Sequence, residues 1–246
     1  MNWSDFFAEA EKLGIPLTPQ QREQFRLYTN LLLERNQQIN LTAIREEKTL
    51  LAKFHLDGLS LLPIVARYSG ISIGNLRSQK WRAADVGSGG GAPAMPLAIG
   101  WPALNYALIE SIAKKARFLQ DVASVLGLNM TVVNQRAEVI GRDPNHRESY
   151  DLVTARAVAA LPTLAELTMP LARIGGLIVL PKGPKANIEV RDAADAIDLL
   201  GGELAGVEQV IIPGLDETRV VVVIRKVRET LQNYPRRPGL PKKKPL

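Results

Sequence analysis

The sequence predicts an α/β fold built on a largely parallel sheet, on three observations. From Trp81 onward, short apolar runs alternate with helical patterns, as βα units do when their strands are covered on both faces. The last two runs, Glu203 to Ile212 and Arg219 to Val227, are joined only by a turn-rich link at Pro213 and Gly214, so they pair antiparallel. Everything before Tyr68 carries helical spacing. The expected organisation is an N-terminal helical cap over residues 1–67, a sheet domain over 68–228 and a basic, proline-rich tail over 229–246.

Trp3 to Leu13 reads as the first helix, and a second begins after Thr18, which caps it, with Pro19 in the first turn and Gln21 closing a capping box. Its apolar stripe is Phe25, Tyr28, Leu32 and Leu33, and it ends between Asn36 and Ile39. A third helical pattern runs from Glu46 to Val65, and Tyr68 to Lys80 is a loop. Strands are expected at Trp81–Val86, Asn105–Ile109, Thr131–Val133, Leu152–Ala155 and Leu177–Leu180. Helices are expected at Met95–Ile99, Ala113–Leu126, Thr163–Leu171 and Ala186–Leu200.

The 246 residues, 46% hydrophobic, suffice for one substantial core with a small appendage. The absence of cysteine excludes disulfides, thiolate zinc sites and cysteine nucleophiles, and fits a cytoplasmic protein. No metal site is expected. The N-terminus lacks a secretory pattern and no apolar run approaches the roughly 20 residues of a membrane span, so no membrane association is expected. Of the formal charge of +6, Arg236, Arg237, Lys242, Lys243 and Lys244 supply five charges within the stretch from Tyr234 to Leu246, which holds no acid. Its prolines predict an extended arm, and Tyr234 and the five basic residues suit RNA.

Asp85-Val86-Gly87-Ser88-Gly89-Gly90-Gly91 carries an acid from an apolar strand into a turn nearly devoid of side chains. Glycine admits positive φ and close approach of a ligand to the main chain, so the segment reads as a cofactor site of nucleotide type. A dinucleotide can use Gly87, Gly89, Ala92 and Glu110. S-adenosylmethionine uses the same elements and also accounts for Asp85 and for the helix-free end of the sheet, and it is the preferred reading. Gly87 and Gly89 then lie against the cofactor, and Glu110, at the end of the second strand, accepts from ribose hydroxyls. Arg136-Ala137-Glu138 and Arg156 follow the third and fourth strands, at the carboxyl edge where open α/β sheets bind ligands.

Together with Asn40-Leu41-Thr42-Ala43-Ile44, Glu110-Ser111, Lys114-Lys115, Phe118-Leu119, Ala155-Arg156-Ala157-Val158-Ala159 and Tyr234-Pro235-Arg236-Arg237-Pro238-Gly239, these segments resemble the bacterial small-subunit rRNA methyltransferase G family, also called glucose-inhibited division protein B. The resemblance covers nearly the whole chain. It implies a class I S-adenosylmethionine-dependent methyltransferase fold, Rossmann-like, and methylation of a guanine N7 in 16S rRNA, either naked or in a small ribosomal subunit precursor, by a monomer. It implies cofactor contacts at Gly87, Ala92, Glu110, Ser111, Ile112, Ala137, Glu138 and Arg156. Where the family usually has a bulky apolar residue, proline and glycine, this chain has Ala92-Pro93-Ala94, which is expected to leave the far side of the glycine turn open.

Pyrimidine C5 methylation normally needs a cysteine, which is absent, and the Asn/Asp-Pro-Pro-aromatic turn of exocyclic-amine methyltransferases is absent after the fourth strand. Guanine N7 needs no general base. Substrate-side candidates are Asn40, His55, Arg156, Lys182 and the tail, with His55 equally readable as a hydrogen-bonded core residue and Lys182 as a solvated strand-end lysine. Removing the chain from Tyr234 onward is expected to weaken RNA binding and leave S-adenosylmethionine affinity intact. The alternatives are a non-catalytic rRNA-binding or ribosome-assembly factor and a nicotinamide-dependent oxidoreductase.

Overall fold

Asn2 and Thr18 start the first two helices by accepting backbone N–H groups. Asn2 accepts from Asp5 at the head of α1 (Trp3–Lys12), and Thr18 accepts from Gln21 at the head of α2 (Pro19–Asn36), where Gln21 returns the bond to the Thr18 amide. The computed structural model describes residues 1–215 and 218–246. α3 (Glu47–Ser69) is long and apolar enough to cross a membrane, contrary to the sequence expectation, but 83% of its most apolar window is buried inside the protein, so its apolarity serves the core. A π-helical stretch, Leu51–Leu56, interrupts it. The expected loop after it contains one short helix, α4 (Ile73–Leu76).

The remainder alternates as expected: β1 (Arg82–Val86), α5 (Ala94–Gly100), β2 (Asn105–Ile109), α6 (Ala113–Leu126), β3 (Met130–Val133), α7 (Ala137–Ile140), β4 (Tyr150–Ala155), α8 (Leu161–Thr168) and β5 (Ala172–Lys182). Then come α9 (Ala186–Asp192), α10 (Ala194–Leu199), β6 (Gly202–Val210), β7 (Arg219–Lys226) and α11 (Leu240–Lys243). The strands form one sheet in the order β3-β2-β1-β4-β5-β7-β6. β1 to β5 pair in parallel, while β7 runs antiparallel to both β5 and β6. The order reverses between β1 and β4, which opens a crevice at the carboxyl ends of those strands.

Successive strand residues serve opposite faces, as a period of two requires. Ala83, Leu152, Leu177 and Val179 pack with α1, α2, α3, α5 and α6, whereas Ala84, Val153, Ile178 and Leu180 pack with α8, α9 and α10. The N-terminal helices thus share a core with one face of the sheet.

Three segments differ from the sequence reading. β5 begins at Ala172 rather than Leu177, because its first part, Arg173 to Gly175, is exposed and Ile174 stands there between an arginine and two glycines, without an apolar run. The helix expected over Ala186–Leu200 breaks at buried Ala193, so that α9 lies against β7 and α10 against β6. The tail is docked on the body and ends in α11, which contradicts the extended arm: its backbone carbonyls and Arg236 find partners on the body that an extended chain would leave to water.

Candidate cofactor and acceptor sites

The glycine turn leaves β1 with Gly87 N–H donating to Ile109 O (2.8 Å) and Gly91 N–H to Ser88 O (2.7 Å). Gly87 has φ +71°, and a Cβ there would lie 2.6 Å from Val158 Cγ2, so both conformation and close approach require glycine. Gly91 has φ +105°, and its missing side chain makes room for Tyr28 Oη and Met95. Tyr28 reaches in from α2 and donates to Gly90 O at 2.6 Å. Ala92 and Ala94 are therefore buried, and the far side of the turn is filled rather than open.

Asp85 lies beneath this turn, 1% exposed. Its Oδ1 accepts from Thr154 Oγ1 at 2.7 Å, and its Oδ2 is buried without a hydrogen-bond partner among the described residues. Burial pushes the carboxyl up to about 6, against the opposing effects of Thr154, Ser88 and Arg156. Glu110 is also buried, and its two oxygens accept the amides of Gly89 (2.9 Å) and Ile112 (2.7 Å), tying the glycine turn to the end of β2. Each oxygen retains a lone pair.

Beside the turn is a cleft of about 210 Å³ lined by Gly87, Ile109, Ser111, Ala137, Glu138 and Val158 among others, with Pro241 and Lys242 of the tail completing it. Burial works to raise the Glu138 pKa, but hydrogen bonds from Arg136 and the Gly239 amide together hold it below its ordinary value. Of the sequence candidates for cofactor contact, Gly87, Ser111, Ala137 and Glu138 line this cleft, whereas Asp85, Gly89, Ala92, Glu110, Ile112 and Arg156 do not.

A second cleft, about 350 Å³, opens on the other side of the loop that leaves β4. Arg156, Lys182, Asp57, Lys53, Glu189 and Arg219 line it. Arg156 Nη1 donates to Asp57 Oδ2 (2.9 Å) and to Lys53 O (3.0 Å), and its guanidinium lies 4.8 Å from the Phe54 ring centre. Lys53, Phe54 and Asp57 are presented by the π-helical stretch and the residue that follows it. Lys182 lines this cleft, largely buried rather than a solvated strand-end lysine, donates to Ala159 O and pairs with Glu189 at 2.7 Å.

Two candidates fall outside both clefts. His55 is fully buried against Phe6, Phe25, Tyr28 and Phe54, with Nε2 2.7 Å from Thr29 Oγ1, so it is the core histidine and not a substrate-side group. Asn40 is exposed at the surface, while the preceding helix end is organised by Asn36, whose amide bridges Leu41, Thr42 and Ile44. Arg236 is engaged by Glu166 (2.6 Å), which withdraws it from the set of RNA-facing charges, but Arg237, Lys242, Lys243 and Lys244 are exposed. Sequence reasoning missed Tyr28, Asp57 and Glu166. Asp57 and Glu166 carry a signal, a lone acid within an otherwise apolar helical run.

Residues 21–213 match the family described as GidB, rRNA small subunit methyltransferase G. The chain belongs to this family. A ribosomal RNA small subunit methyltransferase G from Roseiflexus castenholzii is 47% identical over 238 residues, 96% of this chain and 97% of that protein. One of the same name from Pelotomaculum thermopropionicum is 44% identical over 238 residues, 96% and 95% of the two chains. A solved structure from Klebsiella pneumoniae, described as a candidate O-methyltransferase, shares the fold with a TM-score of 0.58 at 16% identity, covering 92% of this chain and 98% of its own. Membership makes the chain an S-adenosylmethionine-dependent methyltransferase of small-subunit rRNA, and it disfavours both the nicotinamide and the non-catalytic readings.

Proposed function

We propose that the chain methylates N7 of a guanine in 16S rRNA, with the cofactor in the Gly87–Glu138 cleft and the base in the Arg156 cleft. The observation that carries this reading is the division of the crevice by one short loop. Arg156 and Ala157 line one side of it, and Val158 and Ala159 the other. Ala157 has φ +55°, a conformation a β-carbon disfavours and one that concentrates at ligand sites.

The residues present fit the cofactor. The unpartnered Asp85 Oδ2 beneath the glycine turn suits a cationic group bearing hydrogen-bond donors, and the free lone pairs of Glu110 suit ribose hydroxyls. When bound, S-adenosylmethionine supplies an electrophilic methyl group on a sulfonium. The chain's own contribution is orientation, which can lower such a barrier by roughly 7–11 kcal/mol. Guanine N7 has an in-plane lone pair and no proton, so the acceptor cleft needs no base. Arg156, its guanidinium fixed by Asp57, Lys53 O and Phe54, is the donor for guanine O6 and leaves the N7 lone pair free to attack the methyl carbon, the thioether departing. Arg237, Lys242, Lys243 and Lys244 supply phosphate contacts.

Mapping N7-methylguanine in 16S rRNA from cells with and without the gene tests the reading. One guanine should lose the modification in the deletion and regain it when the gene is restored. Identical maps would defeat it.

A further inference from the structure

The C-terminal segment reaches the cofactor cleft by a sequence of contacts along its length. Arg147 donates to Thr230 O and Tyr234 O, and Arg142 to Asn233 O and Pro235 O, fixing the start of the segment. Arg236 then grips Glu166, a carboxylate on α8 with no exposed surface, through its guanidinium and its own backbone amide. Gly239, at φ +83°, turns its amide onto Glu138 Oε1 at 2.8 Å, and Thr163 on α8 donates to Pro241 O at 3.1 Å. Pro241 is buried, and with Lys242 it lines the cleft.

From this geometry we infer that Pro241 and Lys242 are a wall of the adenosine pocket, so that the tail acts in cofactor binding as well as in contact with rRNA. The inference rests on the assignment of the cofactor to the Gly87–Glu138 cleft. Glu138 joins the two roles: the acid expected to meet the cofactor is the one that seats Gly239, so a ligand against Glu138 and a docked segment stabilise each other. The strand-end loops alone leave the cleft without Pro241 and Lys242, and apolar surface of the ligand would face water there. Deleting the tail therefore weakens cofactor binding, the reverse of the sequence expectation.

A variant ending at Leu240 removes the wall and keeps both the Arg236–Glu166 pair and the Gly239–Glu138 bond. Its S-adenosylmethionine Kd, by calorimetry without RNA, should rise about tenfold, as loss of one apolar pocket wall implies, and its KM for the cofactor should rise with kcat little changed. A full-length variant with Arg237→Gln, Lys243→Gln and Lys244→Gln should weaken RNA binding and keep the cofactor Kd of the wild type. In the unaltered protein, saturating cofactor should slow amide exchange at Gly239, Lys243 and Lys244 several-fold, a measurement independent of any variant's folding. An unchanged cofactor Kd in the shortened chain, or unchanged exchange at those amides, would overturn the wall while leaving the cofactor assignment standing. Failure of the full-length protein to bind S-adenosylmethionine would instead remove the assignment and the wall together.

Discussion

Arg236 makes a two-pronged pair with Glu166, Nε to Oε1 at 2.9 Å and Nη2 to Oε2 at 2.6 Å, and Glu166 is completely buried. The pair anchors the tail beyond the contacts that Arg142 and Arg147 make to residues 230–235. Removing one partner of a buried pair leaves a charge without compensation, which costs about 3–5 kcal/mol. Arg236→Ala should lose stability of that order in urea denaturation, and Arg236→Lys should recover only part of it, because an ammonium lacks the planar fork. A loss below about 1 kcal/mol would mean that Glu166 is satisfied without the tail.

The same pair marks the limit of what the sequence disclosed. The parallel sheet, its terminal antiparallel pair and the glycine turn were legible because apolar runs, helical spacing and glycine clusters are local signals. Five basic residues and several prolines read locally as a solvated arm. Docking depended on Glu166, 70 residues away on α8, and on Glu138, neither of which declares a distant partner. The partners of Lys182 were hidden for the same reason: it lines the Arg156 cleft as a strand-end candidate should, but Glu189 and Ala159 O converge on it from separate segments. His55 could be read either as ligand or as core, and the Thr29 hydroxyl decides for core.

Asp85 carries a cost that a cofactor-binding role explains. Burial first, and the nearby Glu110 as a lesser cause, raise its carboxyl to about 6 from 3.8, so at neutral pH its charged form opposes folding by roughly 3 kcal/mol, at about 1.4 kcal/mol per pKa unit. Asp85→Asn should therefore raise the Tm of the cofactor-free protein and weaken S-adenosylmethionine binding. Binding to the wild type should also weaken as pH falls through about 6. A variant less stable than the wild type, with unaltered affinity, would contradict this account.

His55 gives stability the opposite pH slope. Burial, and secondarily the charge of Arg156, push its pKa down to about 3 from 6.5, so the folded state binds fewer protons than the unfolded state between those values. Its contribution is complete above 6.5 and is lost as pH falls, at about 1.4 kcal/mol per unit. Asp85, with a raised pKa, binds more protons folded than unfolded between 3.8 and 6, so its cost is relieved over the same descent. The two slopes should offset between about pH 6 and 4 in the wild type. In Asp85→Asn the His55 slope should emerge, and stability at pH 5 should fall by about 2 kcal/mol relative to neutral pH. Parallel urea midpoints of the two proteins across that range would sink the assignment.

Arg156 separates the two halves of the site. It lines the acceptor cleft, and its side chain is 20% exposed, held by Asp57 at 2.9 Å and by a carbonyl of the π-helical stretch. A group that orients the base should matter more to turnover with rRNA than to binding of the cofactor. Arg156→Ala is expected to lower kcat/KM for rRNA by about 10²–10³-fold, the range for losing a fixed donor at a reacting group, while the S-adenosylmethionine Kd changes less than about threefold. Arg156→Lys should keep the charge and part of the RNA affinity, yet recover little turnover, because one ammonium cannot serve Asp57, Lys53 O and a base together. Removing Arg156 also leaves Asp57 with Arg219, whose Nε lies 3.7 Å from Oδ1, so the fold should persist in Arg156→Ala and the kinetic comparison remain valid. If the cofactor Kd instead rises in step with the loss of turnover, Arg156 belongs to the cofactor, as the family resemblance implied, and the division of the crevice at the β4 loop is wrong.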